Sequence, residues 1–354
     1  MMKKTFVFLI IMLFCSACLL NGCAAEKPAA EATVTLSPIP TPHPTVVLST
    51  PTPAPEPTSL TTGLPWSGAY KPVGIIIENS AAARPQSNIA LADIVYEMVA
   101  EGGITRFFCL FSDNMPDIAG PVRSTRVYFI DIQQEWDCAF VHYGGPNEEP
   151  SINIWPYIDK FDFPARVDGY KGKYSNMLWR DNSRRKPHNA YVNPQEVQAM
   201  IPDDYTIATP AFRFEADAVY IGDSGRTVEI HFRSSNIAKF EYDAAREKYL
   251  RYVNGDPFMD RVTEEQITAK NIIVQYAKHH YIKTSLYTRL RIDLIGSGKA
   301  EYFINGKHIE GSWERESVDS QTVYYDQNGE PISFAPGNTW VEVVRLEKTP
   351  VIYE

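Results

Sequence analysis

Three Asn-Gly dipeptides punctuate the final third of this chain, at Asn254-Gly255, Asn305-Gly306 and Asn328-Gly329. An Asn-Gly pair tolerates the positive φ that tight two-residue turns require, and the twist of such turns matches that of the strands they join. The runs around them, "VEIHFR", "NIIVQYA", "LRIDLIG", "AEYFINGKHIEGSWER" and "TWVEVV", alternate or concentrate apolar residues as strands do. Residues 211–354 therefore read as a mostly antiparallel, β-rich domain. No internal repeat is long enough to define a solenoid.

The preceding part, 64–210, reads differently. "PVGIIIEN" (72–79) is a short continuous apolar run, the signature of a buried strand. "DIVYEMV" fits a helix face through Ile94, Val95, Met98 and Val99, but its β-branched content and the following Gly102-Gly103 favour a strand. The expectation is a hairpin of 93–100 and 104–112. A helix capped by Ser124 follows, carrying Phe129, Ile130, Ile132 and Trp136, and then a strand "CAFVHY" ended by Gly144-Gly145. Strand, helix, strand predicts a right-handed crossover and a parallel pair. Further helices are expected at 151–161, with Ser151 as cap, and at 194–200, with Asn193 as cap and Pro194 at its first position. The fold class is α+β: an N-terminal α/β layered domain with a mixed sheet, then the β-rich C-terminal domain.

The N-terminus sets the compartment. Lys3 and Lys4 precede the uncharged run "TFVFLIIMLFCSACLL", which is short for a membrane span and right for a signal peptide. It ends on Leu20-Asn21-Gly22-Cys23, the pattern of a bacterial lipobox, with Cys23 as the lipidation site. Cys18 is a weaker site, and an uncleaved anchor is the bland alternative. Residues 24–63 alternate proline with Thr, Ser and Ala, and too few apolar side chains are present to offset the entropy of ordering. The expected protein has a signal peptide over 1–23 and a disordered Pro/Thr-rich tether over 24–63. A lipid anchor then holds the folded part at the extracytoplasmic face of the cell membrane. The net charge of −9 argues against a nucleic-acid partner. Cys109 and Cys138 sit in apolar strands, where they read as buried free thiols or, in an oxidising space, as a disulfide. No Cys/His zinc spacing is present, and no cofactor or metal is expected.

The long segments "NSAAARPQSNIALADIVYEMVAEGGITRF", "IAGPVRSTRVYF", "VHYGG" and "KPHNAY" resemble the N-terminal region of the YerB-like lipoproteins of Gram-positive bacteria. "NGDPFMDRVTEEQITAKNIIVQY", "GSGKAEYFINGKHIEGSWER" and "PGNTWVEVV" resemble their C-terminal region. The resemblance spans nearly all of 65–354. It implies an exported lipoprotein of two-part α+β architecture. It implies no chemistry, since the family's function is uncharacterised.

Function must then be read from residue chemistry. The turn Gly120-Pro121-Val122-Arg123-Ser124 puts a helix start beside Arg123 and Arg126, an arrangement suited to an anion. Arg106 is expected to join it from the hairpin, and His142, Gly144 and Gly145 from the end of the next strand, where α/β sheets gather ligands. Alternation places Asp93, Glu97 and Glu101 on one strand face. His142, Glu97 and Glu101 are the candidates for proton transfer. Arg84, in the loop "ARPQ", and His188, in the basic stretch "WRDNSRRKPHNAY" (179–191), complete the set. The bland reading pairs these arginines with nearby acids. The leading expectation is binding of an anionic cell-wall polymer or envelope partner through an arginine-lined edge. An enzyme acting on envelope glycan or phosphate and an envelope scaffold are the alternatives.

Overall fold

The structure is a computed structural model that describes residues 56–205, 210, 212–285 and 287–354. The expected signal peptide, Cys23 and most of the expected tether lie outside the described residues. Among the described residues no helix is long and apolar enough to cross a membrane.

β1 (Val73–Glu78) is buried along its whole length, as its unbroken apolar run predicts. β2 (Ile94–Val99) and β3 (Thr105–Phe111) form the expected hairpin. α1 (Val127–Trp136) leads to β4 (Ala139–His142), and β5 (Arg166–Asp168) follows the short α2 (Trp155–Ile158). α3 (Pro194–Gln198) begins as expected: the Asn193 side chain accepts hydrogen bonds from the backbone N–H groups of Gln195 and Glu196. The later strands are β6 (Thr227–Arg233), β7 (Asn236–Asp243), β8 (Lys248–Val253), β9 (Asn271–Ala277), β10 (Gly296–Ile304), β11 (Lys307–Arg315), β12 (Val323–Asp326), β13 (Thr339–Arg345) and β14 (Val351–Tyr353).

One mixed sheet of eleven strands runs through the molecule, in the order β12-β11-β10-β9-β13-β2-β3-β1-β4-β5 with Asp223–Ser224 beside β11. It takes strands from both sides of residue 210. Its parallel pairs are β2 with β13, β9 with β13, β1 with β4 and β4 with β5. The remaining pairs along this order are antiparallel. A second sheet, β8-β7-β6-β14, is antiparallel throughout.

Strand alternation sorts the apolar residues into two cores. Ile75, Ile77, Phe107 and Trp340 share one with Val228, Ile230, Phe240 and Tyr249 of the second sheet. Ile76, Tyr96 and Phe108 share the other with Tyr128, Phe129 and Trp136 of α1. The large sheet is thus sandwiched between the second sheet and α1, the layered arrangement that lets both of its faces be apolar.

Several local expectations need correction. Arg126, not Ser124, is the N-cap of α1. α2 starts after Ile154 rather than Ser151 and makes a single turn. The parallel partner of β4 is β1 rather than the strand immediately before α1, because the β2–β3 hairpin intervenes in the chain. Asn254-Gly255 and Asn305-Gly306 both have positive φ, as two-residue turns demand. At Asn328-Gly329 only the glycine does, and Asp326 Oδ1 accepts from the N–H groups of Asn328 and Glu330 to build a wider turn. Cys109 and Cys138 are free and buried, and burial pushes both thiols up.

The folded part begins before residue 64. Ser59, Thr61 and Thr62 are buried: Thr61 Oγ1 donates to Asp93 Oδ2 at 2.8 Å, and Thr62 Oγ1 to Asp113 Oδ2 at 2.6 Å. Burial and the neighbouring Asp113 carboxylate push the Asp93 carboxyl up to about 7. A carboxyl raised on folding favours the folded state below its unfolded value near 3.8, and that advantage is lost as pH rises through about 7. Stability is therefore expected to fall from pH 5 to pH 7 by up to ~1.4 kcal/mol per unit from this group. Asp93→Asn should flatten that slope in urea unfolding followed at stepped pH, and an unchanged slope would remove Asp93 as its source.

Candidate functional site

Parallel and antiparallel neighbours bring several chain segments to one end of the large sheet. β1 and β4 end there, and β3 begins there, since Glu78 pairs with Arg106. Residues 122–125 link the two strand ends: Arg123 N donates to Ile76 O, Tyr143 N to Arg123 O, and Thr125 N to Gly144 O. The Glu101–Ile104 turn, His188, the β6–β7 turn and Asn254 complete the set. The candidate arginines, His142, His188, Glu97 and Glu101 lie at or near this end, but they divide into separate groups.

The first group is built on Glu101. Arg126 grips it with two bonds, Nε to Oε1 at 2.6 Å and Nη2 to Oε2 at 2.5 Å. Arg289, from the hairpin His279–Lys283 and Thr288–Ile292, donates to Oε1 at 2.8 Å and also to Glu148. Arg106 lies 3.5 Å away and donates to the Ser124 carbonyl at 2.7 Å. Ser124 thus serves through its carbonyl, which Arg126 also reaches. Burial alone would raise the Glu101 carboxyl, yet Arg126, Arg106 and Arg289 hold it down at about 2. Burial and the charge of Arg126 lower the Arg106 guanidinium to about 9, which leaves it charged at neutral pH. Of the three arginines expected to converge, Arg106 and Arg126 do, but on a carboxylate of the same chain. Glu101 does not share a face with Glu97: it lies in the turn past the last residue of β2, where alternation has ended, and faces the α1 side.

The second group is Glu78, His188 and Arg123. Glu78 Oε2 lies 2.9 Å from His188 Nδ1 and 3.2 Å from Arg123 Nε, and Ser80 donates to Oε1 at 2.9 Å. Ser80 also meets Nδ1 of His188, the nitrogen already facing the carboxylate, so the three side chains do not form a nucleophile–base–acid relay. Arg123 is therefore not part of the Glu101 group.

His142 stands apart and is fully buried. Its Nδ1 lies 3.1 Å from Gly144 O and 3.8 Å from Asp168, and burial lowers its pKa to about 4 despite that carboxylate. The predicted room beside Gly144 and Gly145 is taken by protein. A Cβ on Gly145 would come within 2.4 Å of Ile154, and one on Gly144 within 3.1 Å of Tyr170.

Glu97 belongs to a buried set that sequence reasoning missed. It pairs in register with Glu342 of β13, and both are fully buried on the face toward the second sheet. Arg251 of β8 reaches across and donates to Glu97 Oε2. Thr105 Oγ1 and Asn79 Nδ2 donate to Glu97 Oε1 at 2.5 and 2.9 Å. Four aromatic rings, Phe107, Phe240, Phe258 and Trp340, surround the Arg251 guanidinium at 4.3–5.5 Å. Burial and the adjacent Glu97 push the Glu342 carboxyl well above the ordinary range, which makes it the neutral member of the set. The signal was present: Arg251 sits between Tyr249 and Val253 on the inward face of "KYLRYV", and Glu342 between Trp340 and Val344 in "TWVEVV".

Arg84 marks the open part of this end. Its Nε and Nη2 donate to the Asn79 side chain and backbone, each at 2.9 Å, and Nη2 meets Asn236 Oδ1 at 3.4 Å. Arg184 holds the same loop by donating to the carbonyls of Arg84 and Pro85. Burial and the neighbouring Arg251 lower the Arg84 guanidinium to about 10, so it too remains charged. A cavity of about 300 Å³ lies against Arg84, Asn79, Asn236, Asn254 and Arg233, and a second of about 430 Å³ continues past Arg84 to Pro257 and Met259. Arg233 donates to Gly102 O at 2.6 Å. Among the described residues neither Arg84 nor Arg233 has a carboxylate within 4.0 Å, whereas Arg106, Arg123, Arg126, Arg251 and Arg289 all do.

The chain matches the model for the N-terminal domain of DUF3048, described as a protein of unknown function, over residues 61–207, and the model for its C-terminal domain over 228–341. It is 31% identical over 283 residues to the "Putative lipoprotein YerB" of Bacillus subtilis (strain 168), covering 77% of this chain and 81% of that protein. The crystal structure of the YerB protein from Bacillus subtilis superposes with a TM-score of 0.71 at 29% identity, covering 84% of this chain and all of that one. With both domain models matched in order and the sheet architecture shared with that structure, the chain belongs to the DUF3048 family, alongside the YerB lipoprotein.

Proposed function

We propose that this protein is anchored by lipid on Cys23 to the outer face of the cell membrane and holds an anionic component of the cell envelope at the Arg84 end of its large sheet. The observation that carries this reading is the pair Arg84 and Arg233, two guanidiniums bordering a cavity with no carboxylate partner of their own. A guanidinium presents a planar fork that matches carboxylate or phosphate, and an uncompensated one beside open space favours an anion there. The same edge holds the Glu101 group, where the carboxylates of Glu101 and Glu148 meet three guanidiniums, and the Glu78 group; both tie together the loops near the cavity. Binding is favoured over catalysis because none of the proton-transfer candidates borders either cavity: Glu97 lies beneath Arg251, Glu101 is bound by three arginines, and His142 is buried.

Purified protein is expected to co-sediment with cell-wall sacculi. Arg84→Ala and Arg233→Ala should each weaken that association at least about tenfold, the loss of one charge-assisted contact of about 1.5–3 kcal/mol. Arg233 is exposed, so its removal leaves the fold intact. Sedimentation of both variants like the parent, or none by the parent, would overturn the reading. Release of soluble muropeptides would favour the enzyme instead.

A further inference from the structure

The two cavities that meet at Arg84 differ in chemistry, and the difference describes the ligand. The smaller, about 300 Å³, has the free edges of two arginines along with Asn79, Asn236 and Ser235. Arg84 uses Nε and Nη2 within the protein, and Arg233 uses Nη1, which leaves Arg84 Nη1 and Arg233 Nε and Nη2 without partners among the described residues. The larger, about 430 Å³, has an apolar wall of Ala81, Pro85, Pro257 and Met259, all exposed, together with the buried Val253 and Phe258. Asn254 borders both cavities, and Asp256 stands at the second.

Each cavity alone falls at the lower end of the range for small-molecule sites. Together they offer far more room than an inorganic anion fills. Arg233 lies at the smaller cavity alone and Arg84 where the two meet, while Asp256 opposes a second negative charge in the larger one. An acyl chain would call for an enclosed apolar channel, because its stabilisation comes from removing apolar surface from water. Here the apolar wall is shallow, exposed and edged by an amide and a carboxylate, groups that accept or donate to hydroxyls. Such a wall suits the flat carbon-bound face of a sugar ring, with hydroxyls turned to Asn254 and Asp256.

We infer that the ligand is a sugar unit bearing one anionic substituent, its carboxylate or phosphate between Arg84 and Arg233 and its ring along the Pro85–Pro257–Met259 wall. This inference rests on the anion-binding reading and narrows it to a ligand class. A carboxylated sugar would come from the glycan strand, a phosphorylated one from a wall polymer or its precursor. The shared chemistry is the same at this site.

The test is equilibrium titration of the purified full-length protein in detergent with five probes. These are N-acetylmuramic acid, N-acetylglucosamine 1-phosphate, neutral N-acetylglucosamine, inorganic phosphate and octyl phosphate. At least one anionic sugar is expected to bind tenfold or more tightly than the last three, and which of the two is tighter identifies the source. Met259→Glu should reduce that affinity at least tenfold, and it should melt like the parent because Met259 is 38% exposed. If inorganic phosphate or octyl phosphate binds as tightly as either anionic sugar, the sugar assignment is overturned while the anion site stands. If no probe binds yet the protein sediments with sacculi through Arg84, the sugar assignment again falls alone. Absence of both probe binding and sedimentation overturns the two readings together.

Discussion

Replacing Arg251 by methionine is expected to cost about 3–5 kcal/mol of folding stability, the range for removing one partner of a buried ion pair. Arg251 and Glu97 are both completely buried, so no water can take over the lost contact. The variant would leave Glu97 and Glu342 side by side on adjacent parallel strands without the guanidinium that reaches Glu97 from the second sheet. Methionine fills similar volume against Phe258 and Trp340, so the cost is electrostatic rather than a cavity. Adding Glu97→Gln should recover part of the loss, because an amide still accepts from Thr105 and Asn79 without a charge. Glu342→Gln alone should cost less than about 1 kcal/mol, since burial already holds that carboxyl neutral. Urea unfolding of the three variants checks the set. An equal penalty for Glu342→Gln and Arg251→Met would mean that Glu342 is ionised and the assignment of the proton is wrong.

Glu101→Gln is expected to destabilise the protein by about 2–3 kcal/mol at neutral pH, less than the Arg251 change because the side chain keeps some solvent contact. It would leave Arg126, Arg106 and Arg289 crowded around a neutral amide. The acid response gives the second check. Folding lowers this carboxyl from 4.5 to about 2, so its contribution is complete above about 4.5 and is lost as pH falls toward 2. The parent should therefore lose stability across that window more steeply than the variant. Parallel slopes for the two proteins would show that Glu101 is not the group responsible. This window lies below the one assigned to Asp93, and the two slopes have opposite sign, so a single set of pH-stepped unfolding curves separates them.

Much of the local structure is written in short-range patterning. The apolar run of β1, the Gly-Gly turn of the β2–β3 hairpin, Asn193-Pro194 at the start of α3 and the first two Asn-Gly turns follow from φ/ψ preferences and side-chain periodicity, which act over a few residues. Where these expectations failed, a competing side-chain contact intervened, long-range at α1 and local at the third Asn-Gly. Ser124 does not cap α1 because Arg126, fastened to Glu101 and to the Thr125 carbonyl, takes the cap position. The third Asn-Gly does not make a two-residue turn because Asp326 organises a wider one.

The site was legible in residue type and only partly in place. Arg106 and Arg126 were expected together, and they are; that the occupant is Glu101, and that Arg289 joins from far along the chain, required the hairpin of 279–292 to fold back on the sheet edge. Arg84 was one candidate among several, and what distinguishes it from Arg106, Arg123 and Arg126 is the lack of a carboxylate within 4.0 Å among the described residues, a property of no single segment.

From sequence alone come the expectation of an export signal with a lipobox at Cys23, the strand and turn content and the stock of arginines, because each depends on neighbours in the chain. Only tertiary structure decided that β13 inserts beside β2, so that C-terminal strands complete the N-terminal sheet and set Glu342 against Glu97. It also decided which guanidiniums are neutralised and which face open space, because charge compensation is settled by distances of a few ångströms between groups that the chain order keeps far apart.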